Sequence, residues 1–216
     1  LFLDKMIICF DLDGTLVDTH DWNVDAELKS FIKNGIKVKR NQLYDMWGMT
    51  LKDQIKIISP KIKKEKIEQI RRDFEKEREN TLEGIKPYKN TKKILKRLSK
   101  KYCLCLLSNN THTKIELILD QTKIDKKLFK VIIGYDDVRR AKPFPDEIYK
   151  AEKELKKKVQ FMVGDSLQDI KTAESSKVKS VIILTSPKQV WKDLKEADYK
   201  IKDIKELPKL IKEVTK

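Results

Sequence analysis

Cysteine is scarce in this chain, and what there is stands in apolar company. The 216 residues hold three, Cys9, Cys103 and Cys105. Each lies in an apolar run that reads as a strand, and Cys103 and Cys105, two residues apart, share one face of theirs. An odd count without a secretion signal argues against a disulfide framework and for reduced thiols in the cytoplasm. No second Cys or His pair has the spacing of a zinc site. Long hydrophobic runs are missing too. None approaches the ~18 residues of a membrane span, so no membrane partner is expected. The opening Leu1-Phe2-Leu3 is too short for a signal peptide and reads as a ragged start before Met6. Arginine is rare, seven against a combined Lys+Arg of 49. The net charge of +15 is therefore mostly lysine, scattered along the helices among glutamates. That pattern disfavours a nucleic-acid module, which clusters Arg with exposed aromatics. It is the surface of many heat-adapted proteins, and it suits small anionic substrates.

The length allows one domain, or a core carrying a smaller one. Met6–Phe10 reads as a short buried strand. From about His20 to Asn80 the period is helical throughout. Val24, Leu28, Phe31 and Ile32 make one inward face, ended by Gly35. Leu43, Met46 and Trp47 mark a second helix, closed by Gly48. Thr50-Leu51-Lys52-Asp53 is a capping box for a third, with Leu51, Ile55 and Ile58 inward. Ser59-Pro60 stops that helix and can start the next, striped by Ile67, Ile70 and Phe74. Pro87-Tyr88 marks the return, and Asn90 can cap the helix of Ile94, Leu95 and Leu98. Strands and helices then alternate. Strands fall at Tyr102–Leu107, Val131–Ile133, Val159–Val163 and Ser180–Leu184. Helices run over about Thr113–Gln121, Pro145–Lys156 and Leu167–Ser176, with others around Val190 and Leu210. The fold class is α/β, a parallel sheet with helices on both faces. The core comprises 1–18 and 82–216, and 19–81 is an all-helical insertion without a Gly/Ser linker.

Four stretches follow strands, or sit in loops near them, where a parallel sheet gathers its carboxyl ends. Asp11 and Asp13, with Gly14 and Thr15, follow the first strand. Ser108-Asn109-Asn110 follows the second. Lys142-Pro143-Phe144-Pro145 opens a helix after the third. Gly164-Asp165-Ser166-Leu167-Gln168-Asp169 follows the fourth. Taken singly, each has an ordinary reading as a turn, a helix cap or a surface lysine. Together they hold the parts phosphoryl transfer needs: a carboxylate nucleophile, a second acid, oxygen ligands for Mg²⁺ and a cation for phosphate.

Their order and wording, DxDGT, a Ser motif, a Lys motif and GDxxxD, resemble the haloacid dehalogenase superfamily. The nearest resemblance is to phosphoglycolate-phosphatase-like and phosphoglucomutase-like members with a helical cap, and it implies a Rossmann-like parallel sheet core with an all-helical cap inserted after the first motif. The resemblance implies Asp11 as nucleophile and Asp13 as general acid/base. It implies Mg²⁺ held by the Asp11 carboxylate, the Asp13 backbone carbonyl and Asp165, with Asp169 supporting it directly or through water. Ser108, Asn109 and Lys142 would hold the phosphoryl group, and Gly48-Met49-Thr50 would be the cap loop that meets substrate. The implied activity is a Mg²⁺-dependent phosphatase acting on a small phosphorylated metabolite, with a phosphomutase as the alternative and, less favoured because Asp11, Asp13, Lys142 and Asp165 are all present, a non-catalytic binding protein on the same fold. Asp13 disfavours a true dehalogenase, whose chemistry needs no second acid there. Lys177 and Lys101 stand where such relatives commonly have Gly. His20 reads as a surface residue and His112 as a helix start.

Overall fold

Ile7–Phe10 is apolar on both faces, so as a strand it is stable only in a sheet covered on both sides. In the computed structural model, which describes residues 5–47, 49–80, 82–185 and 194–215, this segment is β1 (Ile7–Phe10), with all four residues buried. A short antiparallel ribbon joins β2 (Val17–Asp18) to β3 (Lys86–Pro87). β4 (Cys103–Ser108), β5 (Phe129–Gly134), β6 (Val159–Gly164), β7 (Lys179–Ile183) and β8 (Tyr199–Ile201) complete the main sheet. Its order is β5-β4-β1-β6-β7-β8, and every neighbouring pair is parallel. The chain builds outward from β1 through β4 to β5, then crosses back to β6 on the other side. That reversal leaves a crevice beyond the carboxyl ends of β1, β4 and β6.

The five expected strands are present, each within about two residues of its expected bounds. β8 and the β2–β3 ribbon were not foreseen, because two or three residues are too short to display a period. Cys9 pairs in register with Cys105, and all three cysteines are free and buried in one cluster with Leu107, Ile133 and Met162. No helix of the described residues is long and apolar enough to cross a membrane.

Thr19–Ile85 forms a compact unit of its own. Its elements are the helices α1 (His20–Lys33), α2 (Arg40–Asp45), α3 (Leu51–Ile58) and α4 (Lys64–Asn80). Their apolar stripes meet in a cluster of Val24, Phe31, Leu43, Ile55, Ile67 and Ile70. Gly35 ends α1 in the left-handed region at φ 75°, and the Ile36 N–H closes the turn on the Phe31 carbonyl at 3.0 Å. Thr50 caps α3 by accepting the Asp53 N–H at 3.2 Å. Ile32 is not inward but 62 % exposed, one position past the buried stripe. α2 stops at Asp45, short of Trp47, and α4 starts at Lys64 rather than Pro60. His20 is not a surface residue: it is buried, with its ring 4.3 Å from that of Trp47.

This unit also buries an acid. Glu27 on α1 accepts a 3.4 Å bond from Gln54 Nε2, and burial pushes its carboxyl up to about 7 against that bond and the charge of Arg78. The unfolded chain releases this proton near 4.5. The folded protein thus holds the extra proton between those values, and stability should fall as pH rises from about 4.5 to 7. Glu27→Gln should remove that slope and stabilise the protein at pH ~8 by on the order of 3 kcal/mol. Urea unfolding at pH ~5 and ~8 checks it; parallel losses in both proteins would refute it.

The core helices are α5 (Thr91–Ser99), α6 (His112–Thr122), α7 (Asp146–Leu155), α8 (Leu167–Ser176) and α9 (Leu207–Val214). Asn90 precedes α5 at φ 72° without a side-chain cap bond; its amide reaches Asp203 instead, at 3.3 Å. The helix expected around Val190 lies outside the described residues. Lys177 ends α8 at φ 58°, in the left-handed region, whereas Lys101 is not among the residues with positive φ. A side chain pays for that conformation and glycine does not. Lys177→Gly should therefore raise stability by about 1 kcal/mol in thermal unfolding.

Candidate active site

β1 ends at Phe10, and the Asp11 N–H still reaches across to the Val163 carbonyl of β6 at 2.8 Å. Asp11 therefore leaves the sheet at its centre. Leu12 is buried and folds the chain back, with the Leu16 N–H on the Leu12 carbonyl at 2.9 Å. Gly14 makes the turn possible. Its φ is +73°, and a Cβ there would collide with the Asp165 carboxylate. The Thr185 hydroxyl, just beyond β7, donates to the Gly14 carbonyl.

The four stretches singled out in the sequence converge beyond the carboxyl ends of β1, β4 and β6. Lys142 is 7 % exposed, and its ammonium bridges Asp11 Oδ1 at 2.5 Å and Asp169 Oδ1 at 2.7 Å. The Thr15 hydroxyl stands between Asp11 Oδ2 at 3.3 Å and Asp165 Oδ1 at 3.4 Å. Asp11, Asp165 and Asp169 each offer an oxygen within 4.8 Å of the others. Asp169 has both oxygens committed. Oδ1 takes Lys142, while Oδ2 takes the Ser166 hydroxyl at 2.6 Å, the Ser166 N–H at 3.1 Å and the Asp165 N–H at 3.3 Å. It caps α8 and fixes the lysine in the same act.

Ser108 ends β4, fully buried, and its Oγ accepts from the Asn110 N–H and side-chain amide, both at 3.2 Å. Asn109 is exposed. Its Nδ2 donates to the Lys142 carbonyl at 3.1 Å and to Gln168 Oε1 at 2.7 Å, so this amide ties its own loop and that of Lys142 to the start of α8. Asn110 donates to Asp13 Oδ2. That contact was missed from sequence, although Asn110 lies inside the quoted Ser motif. It leaves Asp13 Oδ1 buried with no partner. His112 begins α6, its Nδ1 3.0 Å from Asp137. Thr50 serves its own helix, bonded to Asp53 through backbone and side chain. Gly48 lies outside the described residues.

The electrostatics follow from placing acids in a dry crevice. Burial raises Asp11 to about 8, aided by Asp169 and Asp13 and opposed by Lys142. Burial raises Asp165 well above the carboxylate range, with Asp11 and Asp169 adding to it. Burial pulls the Lys142 ammonium down, but Asp11, Asp169 and Glu147 outweigh it and hold it above its ordinary range. One lysine does not neutralise this set of acids. Asp165 Oδ2 is buried without a hydrogen-bond donor. An orphaned hard oxygen next to a second acid is what a divalent cation would satisfy.

An α/β enzyme with an acid-and-lysine centre at its topological switch point is the class that this fold and site define. Residues 8–183 match the family model described as haloacid dehalogenase-like hydrolase. A pyrophosphatase PpaX from Anoxybacillus flavithermus is 31 % identical over 179 residues, 80 % of each chain. A hydrolase from Pseudomonas syringae has the same fold, with a TM-score of 0.81 at 23 % identity over 97 % of this chain and 99 % of that one. So does a Lactobacillus plantarum protein of proposed phosphoglycolate phosphatase activity, with a TM-score of 0.84 at 16 % identity over 95 % and 99 %. The chain belongs to the haloacid dehalogenase-like hydrolase family.

Proposed function

We propose that the protein is a phosphatase acting on a small phosphorylated metabolite through an aspartyl-phosphate on Asp11. The observation that carries this reading is the Lys142 ammonium, clamped between Asp11 and Asp169 beside the unpartnered oxygen of Asp165. Asp11 Oδ2 has one long bond, to Thr15, and so is the oxygen free to attack phosphorus. The bond from phosphorus to the leaving oxygen breaks, and that oxygen takes its proton from Asp13. Water then attacks the acyl phosphate and gives its proton to Asp13, which frees Asp11 and phosphate. Lys142 offsets the charge on the transferring group, and Ser108 with the amides after it borders the same crevice. Asp11, Asp165 and the backbone carbonyl of Asp13 would hold Mg²⁺, with Asp169 keeping Lys142 and the Asp165 turn in place. When bound, the cation would polarise the phosphoryl oxygens. The helical unit Thr19–Ile85 is given the part of a cap that selects the leaving group.

Release of phosphate should require Mg²⁺ and stop with EDTA. The panel should include phosphoglycolate and, because the PpaX relatives are named pyrophosphatases, pyrophosphate. Stability carries the same signature. Without a cation the folded protein keeps protons on Asp11 and Asp165 that an unfolded Asp releases near 3.9, so stability should fall as pH rises from about 4 to 8. Cation binding displaces those protons. Saturating Mg²⁺ should therefore raise Tm by about 5 °C at pH ~8 and by much less at pH ~5. Phosphate release indifferent to EDTA, with no Mg²⁺-dependent Tm shift, would refute the metal assignment.

A further inference from the structure

One buried acid takes no part in the reaction as described. Glu147 is the second residue of α7, the helix that starts four residues after Lys142. It is 0 % exposed, and neither carboxylate oxygen makes a hydrogen bond of ordinary geometry. Its register makes this unusual. α7 packs on β4, β5 and β6, and Ile148 and Ala151 on its inner face are buried among apolar neighbours. Glu147 precedes Ala151 by one helical turn and shares that face. The pattern asks for an aliphatic residue there. That periodicity could have exposed the anomaly from sequence, as an acid at an inward position.

Packing does not explain such an acid. Burial costs it most, and Lys142 is the first influence opposing that cost, through its charge and its backbone N–H. The other groups acting on it, Asp169 and Asp137, are acids that repel it. Lys142 in turn has Glu147 as its third acidic neighbour, after Asp11 and Asp169. Two of its three ammonium hydrogens are committed to those two. We propose that Glu147 is a positioning residue of the candidate site, a buried counter-charge that acts through Lys142 and touches no substrate. The reaction gives it a purpose. Forming the aspartyl-phosphate through Oδ2 removes the negative charge of Asp11 and leaves Oδ1 only a neutral carbonyl acceptor for Lys142. Asp169 and Glu147 then remain to keep the ammonium in place. Burial raises Glu147 to about 7, so near neutral pH its ionised form costs the fold stability. A residue that costs stability and fills no packing need marks a site maintained for function.

The kinetic arm of the test rests on the proposed phosphatase activity; the stability arm does not. Glu147→Gln keeps shape and removes charge. At pH ~8, above the value for Glu147, Glu147→Gln should melt no lower than the wild type. Its kcat on p-nitrophenyl phosphate should fall about tenfold, with KM within about twofold, as for a misplaced catalytic group. Glu147→Leu should lose at least as much. The stability arm is a double-mutant cycle with Lys142→Met. With Lys142 present, Glu147→Gln removes both a buried charge and its attraction to the lysine. In Lys142→Met the attraction is already gone, so the Tm gain should be larger by about 3 °C or more. Equal Tm changes in both backgrounds would overturn the inference. So would Glu147→Gln with unchanged kcat, or a loss confined to Glu147→Leu, which would mean a packing role. If Lys142→Met does not fold, the kinetic comparison decides alone. If the wild type releases no phosphate from any ester, the phosphatase reading falls and the Tm cycle still decides this one.

Discussion

Asp11→Asn should yield a folded protein that takes up no phosphate. In the wild type, substrate quenched within a turnover should leave phosphate bound to the protein and released by hydroxylamine, as an acyl phosphate is. The variant should show none, and turnover should fall by ~10⁴-fold or more, the scale on which removing a covalent nucleophile acts. The fold should survive because Lys142 keeps Asp169 at 2.7 Å, and an amide oxygen in place of Asp11 Oδ1 can still accept from the ammonium. Stability at pH ~8 should rise, since the substitution removes a buried carboxyl that burial has pushed up to about 8. Loss of activity with no loss of Tm separates a chemical role from a structural one. Protein-bound phosphate persisting in Asp11→Asn would move the nucleophile elsewhere.

Asp13→Asn tests the second acid, and the substrate decides how large the effect is. Asn110 holds Asp13 Oδ2, leaving Oδ1 buried and without a partner. An acid held by one oxygen with the other unengaged is arranged to hand a proton to a third party. An alkyl leaving group departs as a strongly basic alkoxide unless it is protonated; a p-nitrophenolate does not need that help. Asp13→Asn should therefore slow an alkyl phosphate by about a thousandfold, within the range of general acid catalysis. The aryl phosphate should lose roughly tenfold or less in forming the intermediate, with its remaining loss in the second step, where the proposed mechanism has Asp13 accept a proton from water. Steady-state kcat/KM for both substrates, with the burst of p-nitrophenol to isolate the first step, measures this. Equal losses on both would make the role of Asp13 positional.

The acids and the lysine of the candidate site were legible because they stand in residue patterns of short range. Asp11-Leu12-Asp13-Gly14-Thr15 after an apolar run, and Gly164-Asp165 with Asp169 four residues after Asp165, are local patterns. The strands that end in them are long enough to show their burial. The helical stretch from His20 to Asn80 was equally plain, since a period of 3.6 sustained over seventeen residues in α4 leaves little ambiguity. What stayed hidden depends on partners distant in the chain. Three-residue β8 is a strand because β7 lies beside it, not because of its own sequence. His20 is buried with the Trp47 ring lying tilted against its own, 27 positions on in the chain. The Asn109 side-chain amide bonds the Lys142 carbonyl and Gln168, residues 33 and 59 positions away. Asn110 rather than Asn109 reaches Asp13, and Asp169 is committed through both oxygens to Lys142 and the turn before α8. A hydrogen bond is directional over about 3 Å, so which of two adjacent amides makes it depends on where the fold places each backbone. Sequence spacing names the groups that can meet at a sheet edge; packing of β4, β1 and β6 side by side decides which ones face each other.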